Sequence, residues 1–371
     1  MAKIAIIGAG SSGFAKRFVM DIMTRPALAE GTLALMDISR ENLDIMSALA
    51  KKMAGQLAVP TVIEPTTDRR QALDGADYVI STITAPGAAR AWAIEGRVAA
   101  KHGVDQAIGC TTGPAGVFRT LRYVPVMLEI CRDMEQLCPG AWLLHYSNPT
   151  TLVPWALNLA SPVKSIGMCH SVQGTARQLA RYIGAPYEET GHWVAGVNHQ
   201  AWFLRFEWRG QDAYPLLREK MKDPEIYKQD IVRFEMMRHF DYFLTESSVH
   251  NSEYVPYFRK NPELIERFTP AATVPYRDRL TAEVKRNQGR EALRKEACGD
   301  APVNIERSKE YTIGIINAME TSVPLRFNGN VLNTGLITNL PEGCCVEVPC
   351  LVDGMGVHPC YVGDLPPQCA A

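Results

Sequence analysis

The 371-residue sequence lacks both a long hydrophobic run and an excess of charge of either sign. No apolar segment approaches the roughly 18 residues that a membrane-spanning helix requires. Lysine and arginine number 39 against 40 acidic residues, which argues against a protein held mainly by nucleic-acid phosphates or anionic lipid. The apolar opening, Lys3 to Gly8, is too short for the core of a secretory signal. We therefore expect a cytoplasmic protein that binds neither nucleic acid nor membranes.

Hydrophobic residues are plentiful, at 46% of the chain, which is enough to bury a substantial core and excludes wholesale disorder. The length fits one large domain or two of medium size. Ten cysteines in a cytoplasmic chain of this size predict reduced thiols and not a disulfide framework.

Strand and helix patterns alternate along the first 165 residues. Short apolar runs predict strands at Ile4–Ile7, Leu33–Met36, Tyr78–Ile83 and Trp142–Tyr146, and amphipathic helices follow the first two. This alternation predicts an α/β fold with a Rossmann-type, doubly wound parallel sheet. Beyond it the pattern changes, with a helical stretch over residues 212–242 and short β-like runs from Leu325 onward. We predict a nucleotide-binding domain over residues 1–165 and a continuous α+β domain over residues 166–371, as in lactate and malate dehydrogenases.

A glycine-rich turn, Gly8-x-Gly10-x-x-Gly13, lies between the first predicted strand and the first predicted helix. In dinucleotide-binding turns the first glycine permits the tight turn and the second lets the backbone approach a pyrophosphate. The third allows close packing of helix on strand, and the helix N-terminus attracts the phosphates.

An acidic residue, Asp37, ends the second predicted strand, where it can accept hydrogen bonds from a ribose 2′-hydroxyl. Its charge repels a 2′-phosphate, so NAD is favoured over NADP, although the nearby Arg40 leaves NADP open. The predicted cofactor-binding residues are Gly8, Gly10, Ser11, Gly13, Asp37 and Thr82.

Polar and reactive side chains follow three strands further along the chain, at Ser147–Pro149, Cys169–Val172 and Gly196–His199. Ligands in open α/β sheets collect outside the carboxyl ends of the strands, so we expect these side chains to converge. A thiolate from Cys169 and an imidazole from His199 suit a divalent metal. Spacing alone leaves open that Cys169 is a structural thiol and His199 a satisfied core histidine.

Several separated motifs together resemble glycoside hydrolase family 4, the NAD- and metal-dependent glycosidases. They are the Ile-Ile-Gly-Ala-Gly-Ser opening, Leu35–Ile38, Asn148-Pro149, Gly167–Gly174, Gly196–His199 and Cys344–Asp353. Within that family, Cys169-His170-Ser171-Val172, Thr245–Ser248 and Glu253–Pro256 are similar to the melibiase-type α-galactosidases.

The resemblance implies hydrolysis by an unusual route. The sugar is transiently oxidised at carbon 3 at the expense of NAD and deprotonated at carbon 2 with the help of a metal. It then loses its aglycone by elimination, adds water and is reduced again. The expected substrate is a small α-galactoside, and the expected metal is Mn²⁺.

By position in the motifs, the resemblance also implies roles for individual residues. The metal ligands are Cys169 and His199, and the substrate-binding residues are Asn148, His170 and Asn198. The base at carbon 2 is Tyr254, with Glu246 as the alternative, and His170 is the candidate acid for the departing aglycone. A tyrosine has a pKa of about 10, so a cation must lower it before it can act as a base at neutral pH.

Two alternatives to an α-galactosidase stay open, one with another sugar substrate and one with another reaction. An α-galacturonide or another acidic sugar requires a cation to hold its carboxylate, and Arg119, Arg277 and Arg307 are candidates. A hydroxy-acid dehydrogenase also fits the nucleotide turn and Ser147–Pro149, although the Asp-x-x-Arg and His-Gly patterns of those enzymes are missing.

Members of glycoside hydrolase family 4 usually continue past the position of Ala371, so we expect a chain that is truncated or from a shorter branch. They associate as dimers and tetramers, so a homodimer or homotetramer is expected.

Overall fold

The first half of the chain forms a six-stranded parallel sheet in the computed structural model, which describes residues 1–11, 13–84, 88–104, 106–270 and 279–370. The strands are β1 (Lys3–Ile7), β2 (Thr32–Met36), β3 (Val62–Thr66), β4 (Tyr78–Ser81), β5 (Trp142–His145) and β6 (Lys164–Gly167). They lie in the order β3-β2-β1-β4-β5-β6, which is the order of dinucleotide-binding sheets. This arrangement confirms the predicted α/β class and Rossmann-type sheet.

Helices cover both faces of this sheet. Along β1, Ile4 and Ile6 belong to one buried cluster, whereas Ala5 and Ile7 belong to another. Successive side chains of a strand point to opposite faces, so a strand that is apolar at every position must be covered on both. The helices of this half are α1 (Phe14–Met23), α2 (Pro26–Ala29), α3 (Arg40–Leu57), α4 (Arg69–Leu73), α5 (Ala88–Lys101), α6 (Gly113–Leu137) and α7 (Leu152–Ala160).

The second half extends the same sheet with antiparallel strands. These are β7 (Thr190–Val197), β8 (Gln200–Trp208), β9 (Gln211–Asp212), β10 (Phe243–Leu244), β11 (Leu325–Leu332), β12 (Cys345–Asp353) and β13 (Gly356–Pro359). Strand β11 pairs with β6, and β12, β7, β8 and β10 follow in that order. The described residues thus share one sheet of 13 strands. The boundary predicted at residue 165 lies inside β6 and stays a prediction.

The remaining helices surround the antiparallel strands. They are α8 (Ser171–Ile183), α9 (Tyr214–Lys220), α10 (Pro224–Tyr227), α11 (Ile231–Phe240), α12 (Ser248–Tyr254), α13 (Pro262–Phe268), α14 (Arg279–Cys298), α15 (Thr312–Thr321) and α16 (Pro367–Ala370). The helical stretch predicted over residues 212–242 is divided into three helices. One reason is Asp223, whose side chain caps α10 by accepting a hydrogen bond from the Glu225 amide, with Pro224 in the first turn.

All ten cysteines lie in the described part of the chain, and each is a free thiol. None of the described helices combines the length and the apolar composition needed to cross a bilayer.

A buried ion pair joins α11 to α8. Arg233 and Asp230 are three residues apart in sequence. The distance from Arg233 Nη2 to Asp230 Oδ2 is 2.5 Å, and both side chains are 2% exposed. The guanidinium also donates to Gln178 Oε1 (2.6 Å) on α8, and the Tyr182 hydroxyl of α8 donates to Asp230 Oδ2 (2.5 Å). These bonds stand in for hydrogen bonds that the two charged groups lose to water on burial, which is the condition for burying two charges.

Removing one member of this pair should destabilise the whole fold. We expect Arg233→Met to lower the free energy of unfolding by about 3–5 kcal/mol, because Asp230 is left buried without its cation. Urea unfolding measures the loss. The control is Arg209→Ala, which removes an ion pair to Glu189 from a side chain that is 70% exposed, and its loss should be far smaller. Equal losses in the two variants would contradict this assignment.

Candidate functional site

Three side chains from the ends of three strands meet in a buried cluster. Cys169 follows β6, His199 lies between β7 and β8, and Glu246 follows β10. The Cys169 Sγ, one His199 ring nitrogen and one Glu246 carboxylate oxygen all lie within 4.8 Å of one another. Thiolate, imidazole and carboxylate together form a donor set for a divalent transition metal. The structure therefore brings the two predicted ligands together and adds Glu246, which sequence reasoning had placed only as an alternative base.

His199 presents a neutral ring to this cluster. Its Nδ1 lies 2.9 Å from Thr111 Oγ1, and its Nε2 lies 3.9 Å from Glu246 Oε2. Burial lowers the pKa of His199 to about 4. An Nδ1–H that donates to the Thr111 hydroxyl leaves the Nε2 lone pair directed at the cluster, as metal-binding histidines require. Thr111 was not predicted, because nothing in its spacing links it to His199, 88 positions away.

The Cys169 thiol keeps its proton in the absence of a cation. Burial raises the pKa of Cys169 to about 12, and the charges of Glu347 and Glu246 act in the same direction. The hydrogen bond with Ser171 (3.2 Å) and the Asn198 side chain lower the pKa, and α8 begins two residues after Cys169. A bound divalent cation reverses this balance and takes the ligand as a thiolate.

Glu246 is held by an unusual backbone and by a neighbouring histidine. Its φ of 69° lies in the left-handed region, which costs free energy for a residue with a side chain. Its Oε1 lies 3.3 Å from His250 Nδ1, and the same nitrogen lies 2.9 Å from Ser247 Oγ. Ser247 in turn caps α12 by accepting a hydrogen bond from the His250 amide. Sequence reasoning missed His250, although its position four residues after Glu246 was a usable signal.

Tyr254, the predicted base, ends α12 close to this cluster. Its ring centroid lies 6.3 Å from that of His250. Burial raises the pKa of Tyr254 well above its usual value, and the neighbouring Cys110 adds to the effect. The preceding residue, Glu253, accepts hydrogen bonds from the Ile108 and Gly109 amides (2.9 and 2.8 Å). This unpredicted carboxylate fixes α12 to the loop that carries Thr111.

The three predicted substrate-binding residues have different surroundings. His170 is exposed at the N-terminus of α8, with its ring 6.2 Å from that of Phe14. Asn148 is half-buried, and its Oδ1 accepts a hydrogen bond from Thr150 (2.7 Å). Asn198 is 2% exposed, and its Nδ2 donates to Glu347 Oε2 (3.2 Å). Its predicted contact with substrate stays a prediction.

Only one of the three candidate arginines is placed near these groups by the described contacts. Arg119 donates from Nε to the Asn148 carbonyl (3.1 Å), and its charge contributes to the lowered pKa of His199. Arg307 instead bonds to Thr24 at the end of α1. Arg277 lies outside the described residues.

The glycine-rich turn after β1 joins the ends of β1, β2 and β4. Gly8 has a φ of 91°, its amide donates to the Met36 carbonyl (2.9 Å), and its carbonyl accepts from Thr82 Oγ1 (3.0 Å). The Ser11 amide closes the turn on the Gly8 carbonyl (3.1 Å). The turn thus lies between β1 and β4, where the strand order reverses and α/β sheets bind their ligands.

The second glycine lies directly against Asp37. The Gly10 amide donates to Asp37 Oδ2 (2.8 Å), and the Ser39 amide donates to Oδ1 (2.8 Å). A Cβ on Gly10 would lie 2.7 Å from Asp37 Oδ2 and 2.5 Å from Asn42 Cβ, so this glycine keeps the space in front of the carboxylate clear. An ionised carboxylate has about four acceptor sites, so Asp37 can still accept from a ribose hydroxyl.

The reason given for the third glycine was wrong. A Cβ on Gly13 would have no atom of the described structure within 4 Å, so close packing of helix on strand does not require a glycine there. Gly13 is the N-cap of α1 with an ordinary φ of −95°. The position of Gly13 in the motif therefore does not indicate that α1 packs closely on β1 at this residue.

Comparison with known proteins decides the family. The sequence model of the family 4 glycosyl hydrolases matches residues 3–185, and the model of that family's C-terminal domain matches residues 194–371. The chain belongs to family 4 of the glycosyl hydrolases. An α-galactosidase of Bacillus subtilis is 40% identical over 374 residues, covering 100% of this chain and 86% of the relative. An α-galactosidase of Rhizobium meliloti is 36% identical, covering 100% and 77%. An α-galacturonidase of Thermoanaerobacter italicus is 27% identical, covering 98% and 83%.

Solved structures agree with this family 4 fold. The lplD protein of Bacillus subtilis has a TM-score of 0.87 at 26% identity, covering 100% of this chain and 88% of its own. A 6-phospho-α-glucosidase from gut microorganisms, solved with NAD and Mn²⁺, has a TM-score of 0.80 at 22% identity, covering 99% and 85%. The malate dehydrogenase of Plasmodium falciparum reaches a TM-score of 0.57 at 14% identity, covering 100% and 93%. The dehydrogenase likeness is therefore one of fold.

Two alanine substitutions in the glycine turn should separate its roles. We expect Gly10→Ala to lower the free energy of unfolding by about 1–3 kcal/mol, because its methyl group overlaps the Asp37 and Asn42 side chains. Gly13→Ala is the matched control and should cost little or nothing, since its φ suits alanine and space is open. Thermal unfolding without ligands measures both. A larger loss for Gly13→Ala than for Gly10→Ala would refute this account of the turn.

Proposed function

We propose that this family 4 glycosyl hydrolase is an α-galactosidase that requires NAD and a divalent metal, with Mn²⁺ favoured. The observation that carries the proposal is the convergence of the Cys169, His199 and Glu246 cluster with the glycine turn. Phe14, the first residue after that turn, has its ring 6.2 Å from that of His170, which is adjacent to Cys169. The two α-galactosidases at 40% and 36% identity support the substrate class.

The turn after β1 fits NAD. The backbone of Gly8, Gly10 and Ser11 and the N-terminus of α1 at Gly13 receive the pyrophosphate, with Thr82 bracing the turn from β4. Asp37 accepts from the ribose hydroxyls, and its negative charge disfavours the 2′-phosphate of NADP.

The buried cluster fits a metal of the Mn²⁺ type. Cys169 and His199 are the predicted ligands, and we assign Glu246 as the third because its carboxylate oxygen lies within 4.8 Å of both of their donor atoms. A hard carboxylate oxygen beside sulfur and nitrogen widens the range of divalent metals that the site accepts.

When bound, NAD supplies reversible removal of a hydride from sugar carbon 3, and the metal supplies a Lewis acid for the oxygens on carbons 2 and 3. The chain's own residues then handle protons and position. Tyr254 takes the proton from carbon 2 once the charge of the bound metal offsets the burial that raises its pKa, and His170, exposed at the start of α8, gives a proton to the departing oxygen. Asn148 and Asn198 bind the sugar hydroxyls near the metal. Because Glu246 is assigned to the metal, Tyr254 is the preferred base.

An α-galacturonide is the second candidate substrate, and Arg119 is the observation that favours it. Its guanidinium donates to the backbone carbonyl of Asn148, a residue assigned to the sugar. Arginine binds carboxylates through paired hydrogen bonds, so Arg119 is suited to an acidic sugar.

We further propose that the enzyme acts in the cytoplasm as a closed symmetric oligomer, a homodimer or homotetramer. Ten free thiols suit a reducing compartment. On α6, Val117, Phe118 and Leu121 are 52%, 51% and 63% exposed, and such a patch is typical of a surface between subunits. Residues 1–165 would bind the nucleotide, and residues 166–371 would supply the metal site and most of the sugar contacts.

Hydrolysis of a nitrophenyl α-galactoside tests the function. We expect turnover only when NAD, Mn²⁺ and a thiol reductant are all present, without net accumulation of NADH at 340 nm, because the hydride returns to the sugar. The matching α-galacturonide, in parallel, decides between the two substrates. Malate replaces the glycoside as the control, and stoichiometric NADH from it would support a dehydrogenase. Full hydrolysis after complete removal of NAD would exclude the proposal.

Exchange of the carbon-2 hydrogen with deuterated solvent tests the base. We expect Tyr254→Phe to slow this exchange by about 10²–10⁴-fold, which is the usual contribution of a general base. Mn²⁺ binding by this variant should be retained, since the tyrosine is not a ligand. Tyr257→Phe is the control, because Tyr257 is three residues away and 48% exposed. An unchanged exchange rate in Tyr254→Phe would move the assignment to Glu246.

A further inference from the structure

Glu347 is a fully buried carboxylate that the proposed mechanism does not use. It lies in the middle of β12, paired with Asn330 of β11 on one side and Gly196 of β7 on the other. Its side chain is 0% exposed, and its Oε1 has no hydrogen-bond partner among the described residues. Burial raises the pKa of Glu347 to about 7, opposed by the Asn198 bond and reinforced by the charge of Glu246. The fold alone gains nothing from this group, because burying an unpaired carboxylate costs stability.

The one described side-chain hydrogen bond of Glu347 leads to the residue next to a proposed metal ligand. Its Oε2 accepts from Asn198 Nδ2 (3.2 Å). The Asn198 backbone is fixed in turn, because Thr151 Oγ1 donates to its carbonyl (2.6 Å). The next residue along the chain is His199.

We propose that Glu347 is a positioning residue for the metal site, holding the Asn198 side chain and with it the adjacent ligand His199, and adding a buried negative charge behind the ligands that favours a divalent cation. The inference rests on the proposed function, in that Cys169, His199 and Glu246 must bind the metal. Carboxylates behind metal ligands orient those ligands and strengthen the site, and removing them typically weakens metal binding about 10–100-fold. This role explains why a costly buried charge lies behind the cluster.

The test is Mn²⁺ binding by Glu347→Gln, which keeps the shape and the hydrogen-bond acceptor but removes the charge. Free Mn²⁺ is measured by electron paramagnetic resonance during titration of reduced, metal-free protein at pH 8, without substrate. The control is Glu235→Gln, which removes a carboxylate that is 9% exposed on α11 and bonds to Tyr227 (2.7 Å). Cys169→Ser serves as the reference for loss of a ligand. Thermal unfolding of each metal-free variant is recorded alongside.

We expect Glu347→Gln to raise the Kd for Mn²⁺ by about 10–100-fold, while Glu235→Gln leaves it unchanged. The unfolding temperature of metal-free Glu347→Gln should stay the same or rise, since the variant removes an uncompensated buried charge. An unchanged Kd would overturn the inference. A lower unfolding temperature would also overturn it, because the carboxylate would then serve the fold. Absence of Mn²⁺ binding by the unaltered protein would instead refute the metal site itself, and this inference with it.

Discussion

Burial of Cys169 and His199 beside Glu246 is the constraint on which the site depends. Burial makes His199 a neutral ring and keeps the proton on Cys169. Both side chains are uncharged in these surroundings, so Cys169 becomes a thiolate ligand only when a cation binds beside it. The carboxylates of Glu246 and Glu347 lie around the same position and oppose any further negative charge. This donor set, with two of its three members buried, therefore suits a divalent metal through electrostatics as well as through ligand type.

The secondary structure around the cluster follows from where strands end. Cys169 lies just beyond β6, and α8 starts two residues later with Ser171, whose hydroxyl lies 3.2 Å from the sulfur. Glu246 lies in the short connection between β10 and α12, in a left-handed backbone conformation. Hydrogen bonds fix the residues on both sides of it. The Thr245 amide donates to the Ala201 carbonyl (2.9 Å), and Ser247 caps α12. The strained residue is thus held by ordinary hydrogen bonds before and after it.

Most of the fold was predictable from sequence, and about half of the candidate site was. Apolar runs identified the parallel strands because these are buried on both faces, and the glycine motif with Asp37 located the nucleotide turn. Cys169 and His199 were recognisable as chemical groups at strand ends. Thr111, Glu253 and Glu347 were not, since each acts through a contact that joins distant parts of the chain. The role of Gly13 was misjudged for the opposite reason, because a motif position was credited with a packing contact that the structure does not contain.

The uninterrupted sheet has a consequence for how substrate is handled. Strand β11 pairs with β6, and β12 pairs with β7, so one sheet carries both the glycine turn and the strand ends at Cys169 and His199. A cleft between two separately moving lobes has to close before its two reactive centres reach working distance. Here both centres lie at strand ends of one sheet, so the hydrogen-bonded backbone of that sheet sets the distance between them.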